Sequence, residues 1–253
     1  MFDKSSNPVL QDKIFRSESL QAGAKTMTVN GTIEKTGLLL LIVMVAASYT
    51  WQKFFNSGDV ENAMSSLSGW MFGGAIGGFI VAIATMFLKK YAAYLAPIYA
   101  VLEGLFLGAI SAFFESMYPG IVMNAVLGTF ATFFIMLLTY RTGLIKVNDK
   151  FRGIMIVATG AVALTYFMSF LLSFFGVNMS FLHDNSMLSI GISVVVIVIA
   201  ALNLLMDFDF IERGSAYGAP KYMEWFGAFG LMVTLIWLYL EILRLLSKLQ
   251  SRN

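Results

Sequence analysis

Residues 187–210 read MLSIGISVVVIVIAALNLLMDFDF. From Met187 to Met206 there is no charged side chain. A helix rises 1.5 Å per residue, so about 20 apolar residues cross a hydrocarbon layer roughly 30 Å thick. The stretch therefore predicts a membrane-spanning helix that ends in two acids, Asp207 and Asp209. Six further apolar runs accompany it: Gly37–Phe54, Ser68–Leu88, Tyr91–Phe114, Ile121–Tyr140, Gly153–Phe175 and Met223–Leu246. The runs are continuous and do not alternate with period two. Helices satisfy their own backbone hydrogen bonds in lipid, so the pattern favours helices over a barrel. The expected fold is all-α, a polytopic bundle of seven transmembrane helices.

Composition leads to the same place. Of 253 residues, 58% are hydrophobic and 13% charged, and the mean hydropathy is +0.77. Soluble domains carry about 25% charged residues. Too few ionic groups remain to cover a water-facing surface, so the apolar excess must face lipid. There is no cysteine, which excludes disulfides, thiolate metal sites and catalytic thiols. One histidine, His183, cannot form a multi-histidine metal site, and a net charge of +2 does not argue for nucleic acid.

Residues 1–35 are polar and charged throughout, without the short apolar core of a signal peptide. They are expected to form a cytoplasmic tail, with residues 36–253 as one membrane domain. Seven spans place thirteen of the 17 Lys and Arg on the tail's side, which predicts a cytoplasmic N-terminus. Arg244, Lys248 and Arg252 oppose that bias. Either the last run spans against its charge, or it dips in and returns; seven spans is the favoured reading.

Run two contains Gly69, Gly73, Gly74, Gly77 and Gly78, which make Gly-x-x-x-Gly pairs 69/73, 73/77 and 74/78. Such pairs let a neighbouring helix approach closely. Four acids lie in or at the edge of the runs: Glu103, Asp207, Asp209 and Glu241. A charge at mid-membrane costs about 2.5–3.5 kcal/mol even on the lenient insertion scale, so such an acid normally faces the bundle interior or a wet path. Glu103 sits mid-run and is the strongest candidate by position. Asp209, beside Glu212 and Arg213, is expected to reach water at a helix end. Asn203 and Asp207 share a face, four residues apart, and Arg244 is placed to pair with Glu241 along one helix. His183 and Asp184 belong to an outer loop, where a solvated role is expected. Asn178-Met-Ser180 and Asn30-Gly-Thr32 match a short glycosylation pattern that recurs by chance.

If Asp207 and Glu241 meet, they share a proton, and losing it leaves two charges that repel each other or attract a hard cation such as calcium. The pair would then serve as a pH-controlled latch and a transient calcium site. A simple seven-span count sets the two acids more than ~10 Å apart in depth. They meet only if run six continues past Asp207 or run seven starts late, near Gly227–Gly230.

Glu103-Gly-Leu-Phe-Leu-Gly108, Leu205-Met-Asp207-Phe-Asp209-Phe-Ile-Glu212 and Trp237-Leu-Tyr-Leu-Glu241-Ile-Leu-Arg244 together resemble the Bax inhibitor family, most closely its bacterial branch, over residues 30–250. The resemblance implies a seven-helix bundle with a pH-dependent calcium leak, gated by paired acids at Asp207 and Glu241. It also implies a basic gate partner at Lys89 or Lys90, and a bacterial inner-membrane location. The chain departs from the family pattern in having Glu at the second acid, a charged residue at Asp209, Lys in place of Arg at the gate, and a longer stretch through Gly214–Met223. Two other readings stay open: a regulatory membrane protein acting through a partner such as a membrane protease or cell-death machinery, and an intramembrane hydrolase, for which no Gly-x-Gly-Asp or His-Glu-x-x-His run is present. The expectation is a non-enzyme without cofactor, in contact with lipid, protons and calcium; the sequence leaves its oligomeric state open.

Overall fold

The computed structural model describes residues 25–58, 60–176, 179 and 184–252. Among them are seven α-helices: α1 Val29–Phe55, α2 Val60–Phe87, α3 Ala92–Met117, α4 Ile121–Arg141, α5 Asp149–Ser173, α6 Met187–Ala216 and α7 Met223–Gln250. A short 3-10 turn, Lys89–Tyr91, links α2 to α3. All seven helices are long and apolar enough to cross a membrane, and the protein is an integral membrane helix bundle. The last run is one unbroken helix of 28 residues, so it spans and does not return.

Several helices outrun their apolar stretches. α1 starts at Val29 and takes in seven residues of the expected tail. α2 starts at Val60, before the apolar run at Ser68, and α6 continues to Ala216. Local capping sets these ends. The Thr28 hydroxyl accepts from Gly31 N at 3.0 Å, the Asn148 side chain accepts from Phe151 N, and the Ser186 hydroxyl accepts from Ser189 N at 3.2 Å. Each satisfies an amide that a helix start leaves without an intrahelical acceptor. Asp184 buttresses the α6 cap. The Ser186 hydroxyl and amide both donate to it, which holds its carboxyl below the ordinary carboxylate range. His183 and Asn178 lie outside the described residues, as do residues 1–24.

The chain divides into two compact units. In the first, formed by α1–α3 through Val122 with residues 210–233, α3 packs on both α1 and α2. A knot of Phe54, Ala63, Leu67, Ala109 and Ala112 fills one part of the interior. α3 approaches α1 through Gly104 and Gly108. A β-carbon on Gly104 would stand 2.6 Å from Val43 O, and one on Gly108 would fall onto Ala47 O. Of the run-two glycines, Gly74 and Gly78 face α3, with Gly77 near Leu102, whereas Gly69 and Gly73 have nothing among the described residues within 4 Å of an added β-carbon. The 74/78 pair is thus the packing pair, and 69/73 points away.

The second unit holds Met123–Asp209 and the chain from Thr234 onward. Phe208 stacks edge-on against Phe133, and Ile242 packs on Gly128. α6 buries Ser189, Ser193, Val196, Ala200, Leu204 and Asp207, and exposes Val194, Val195 and Val198. An exposed valine face suits lipid and would be costly in water.

Candidate functional site

The buried face of α6 carries its polar residues. At 100° per residue, Ser189, Ser193, Asn203 and Asp207 fall within a stripe about 80° wide. Two other helices of the second unit repeat polar residues every seven positions: Arg152, Thr159 and Tyr166 on α5, and Thr234, Glu241 and Lys248 on α7. Seven residues make almost two turns, so each set keeps to one face, with steps of about 10 Å.

These faces meet rung by rung. At one end Arg152 donates to the Asp209 carboxylate at 2.5 Å, with both side chains largely buried. Next, the Asn203 amide donates to the Thr159 hydroxyl and to Ile199 O, each at 2.9 Å. Then the Tyr166 hydroxyl donates to Glu241 at 3.0 Å, and Arg244 Nη1 donates to both carboxylate oxygens at 3.0 and 3.1 Å and to the Tyr166 oxygen at 2.7 Å. At the far end the Lys248 ammonium donates to Ser189 Oγ at 2.7 Å and Ser193 Oγ at 2.9 Å. From the Arg152 rung to the Tyr166 rung is fourteen residues of α5, about 21 Å. A line of polar groups therefore runs along the facing sides of α5, α6 and α7, buried at Arg152, Glu241, Lys248, Ser189 and Ser193 and half-buried at Thr159, Asn203 and Tyr166.

Asp207 and Glu241 are both buried, at 3% and 2% exposure, and they are separate rungs. Within the second unit α7 runs back along α6, with Lys248 meeting Ser189 and Ser193. That register sets Glu241 opposite residue 198 of α6, nine residues from Asp207, about 13 Å along the axis. α6 does continue past Asp207, yet the longer Gly214–Met223 stretch does not bring the two acids level. In this structure that register keeps the two carboxylates apart in depth. Glu241 has the intrahelical Arg244 partner expected of it, and gains Tyr166.

Asp209 corrects an expectation. It does not reach water at a helix end; it is the partner of Arg152, a residue first counted as a loop cation. The reason is that α6 carries on through Ala216, which keeps residue 209 inside the bundle. The Arg244 and Lys248 contacts also explain why two of the three C-terminal cations ignore the charge bias: both are spent on internal partners.

In the first unit, Glu103 lies mid-way along α3 with its Oε2 against Gly78, 2.9 Å from where a β-carbon would stand. The Lys89 ammonium lies 5.5 Å over the Phe226 ring, and Lys90 is exposed. Sequence reasoning missed Glu224. This fully buried carboxylate accepts from Thr28 N at 2.9 Å, the Thr28 hydroxyl at 2.8 Å, Lys35 at 2.5 Å and Lys221 at 2.7 Å. It looked like an ordinary first-turn acid. The polar line was legible in part, since heptad spacing of Arg152, Thr159 and Tyr166 and of Thr234, Glu241 and Lys248 is visible without a structure. Among the described residues no group of three or more acidic or histidine side chains converges as a metal site.

A family model described as Bax inhibitor 1 like matches residues 7–251, nearly the whole chain. Comparison with curated proteins gave no match.

Proposed function

The chain belongs to the Bax inhibitor 1 like family, and on that premise we propose that it is a passive, proton-sensitive path for cations, calcium the first candidate, gated by intramembrane carboxylates. The observation that carries this reading is the polar line of the second unit, with Asp207 and Glu241 as separate gating rungs. A helix bundle needing only stability would fill these positions with Leu or Ile, because each buried polar group must be desolvated and then matched. Here the line extends over about 21 Å of helix, most of the thickness of a hydrocarbon core.

Calcium is cargo on this reading and passes oxygen ligands one or two at a time. No tight multi-carboxylate cage is required, and permeation is faster without one. The charge that Asp207 and Glu241 present to the cation sets the gate. The protein acts without catalysis, with its N-terminus in the cytoplasm and its bundle in a bacterial inner membrane. The clustering of twelve cations on one side, with Arg152 turned into the bundle, supports that orientation.

Asp207→Asn tests the reading directly. Asparagine keeps the shape and stays neutral, so it copies the protonated acid at every pH. In proteoliposomes loaded with a calcium-sensitive dye, flux through the native protein is expected to change as the pH is scanned from acid to alkaline. The variant should hold the native acid-limb rate across that range. A variant profile that superimposes on the native one removes Asp207 from the gate, and native protein without any calcium flux removes the path itself.

A further inference from the structure

Leu127, Phe134 and Leu138 are exposed along one side of α4, and at 100° per residue they share a single narrow stripe. Arg141, in the last turn, continues that stripe and is exposed. The start of α5 mirrors it: exposed Ile154, Val157 and Leu164 lie on the face that begins with exposed Lys150. Both lipid-facing stripes therefore end in a cation where the chain leaves the hydrocarbon. Between them α4 is closed by Gly143 in the left-handed region, φ +67°, with the Leu144 amide donating to Thr139 O at 3.2 Å. That turn throws Leu144 outward, 79% exposed, and Lys146 follows it into the open. No carboxylate among the described residues pairs with Arg141, Lys146 or Lys150. The acid of this connection, Asp149, has its Oδ1 3.9 Å from Arg152 Nη1, and Arg152 itself turns in to Asp209.

A connection meant only for water has no use for an outward leucine, nor for cations in line with lipid-facing side chains. At the depth of the headgroups both make sense. An apolar side chain gains by entering the acyl boundary, and ammonium and guanidinium groups there meet phosphate, which a guanidinium can grip with two bonds. We propose that the α4–α5 connection is a seat for an anionic phospholipid, with Arg141, Lys146 and Lys150 on its phosphate and Leu144 among its acyl chains. A free phosphate ion would use the cations but gain nothing from Leu144 or from the stripes beneath Arg141 and Lys150. A lipid uses all of them. The inference is independent of the cation path and holds whether or not the protein conducts.

The test is native mass spectrometry of the delipidated full-length protein in detergent, titrated with dioleoyl phosphatidylglycerol, with dioleoyl phosphatidylcholine and with sodium glycerol phosphate. Every variant is first matched to the native thermal midpoint. Native protein should retain phosphatidylglycerol at least tenfold more tightly than phosphatidylcholine. A cation near an anionic lipid surface is worth about fivefold in affinity, so Arg141→Gln, Lys146→Gln and Lys150→Gln should each weaken phosphatidylglycerol binding about fivefold, and the triple variant roughly a hundredfold. Phosphatidylcholine binding should not move. Leu144→Ser, which leaves every charge in place, should weaken phosphatidylglycerol severalfold, and Leu144→Met should restore it. Lys25→Gln removes an exposed cation outside this connection and should bind as native protein does. Equal retention of the two lipids by native protein, or unchanged retention in the triple variant, overturns the seat. A loss in Lys25→Gln as large as in Lys146→Gln makes the attraction diffuse and overturns it too. Displacement of the lipid by millimolar glycerol phosphate would assign the cations to a soluble phosphate and overturn the lipid as occupant.

Discussion

Glu224→Ala is expected to destabilise the folded protein by about 3 kcal/mol, the lower part of the range for breaking a buried ion pair. The carboxylate is fully buried, and both its lysine partners are long side chains drawn in from the surface. Lys35 is mostly buried while Lys221 is about half exposed, so Lys221 regains water when the acid is lost and Lys35 does so incompletely. The Thr28 amide and hydroxyl lose their acceptor at the same time, at the N-terminus of α1, where helix amides are already short of acceptors. Glu224→Gln keeps an acceptor for Thr28 but gives up two charge-assisted bonds, and about half the loss is expected. Gly31→Ala should resemble Glu224→Ala, because its β-carbon would fall onto the carboxylate. Denaturant unfolding in micelles reads the energies, and limited proteolysis around residues 25–35 reads the loosened helix start. Equal stability for native protein and Glu224→Ala would mean that the cluster is a surface ornament.

Gly108→Ala and Gly69→Ala should move stability in opposite directions, though both glycines sit in Gly-rich stretches of apolar helices. At Gly108 the new methyl meets Ala47 O and the Thr50 hydroxyl, so α1 and α3 must part. The Thr50 hydroxyl, which donates to Leu105 O at 3.0 Å across that contact, is pulled from its acceptor. Overpacking of this kind costs about 1–3 kcal/mol, and backbone, unlike a side chain, has no rotamer through which to yield. At Gly69 an added β-carbon meets nothing within 4 Å among the described residues, so alanine only stiffens the helix, a gain of up to about 1 kcal/mol. Thermal midpoints of the two variants in one detergent decide the matter. A shift of the same sign in both would sink the assignment of packing faces.

These two cases mark where reading along the chain stops. The pairs 69/73 and 74/78 carry the same spacing, yet only the second touches a helix. Which way α2 is rotated depends on α3, and no residue of α2 encodes that alone. Asp209 and Arg152 are 57 positions apart, and Lys35 and Glu224 are 189 apart. As isolated residues they read as a helix-end acid, a loop cation, a tail cation and a first-turn acid. Helix ends were misjudged for a related reason. Hydropathy stops where lipid stops, whereas the helix continues until a cap such as Thr28 or Asn148 ends the ladder.

From sequence alone came the membrane, the seven crossings and the identity of the acids that stand out from their apolar surroundings. Each of those is a sum over one segment: transfer energy accumulates residue by residue, and the order of neighbours in space does not enter. Tertiary structure decided that Asp207 and Glu241 occupy separate rungs, that Asp209 belongs to Arg152, and that Lys248 turns away from water. Those are matters of rotation and axial register between helices, and a loop only a few residues longer resets the register by several ångströms of rise without changing the hydropathy of any span.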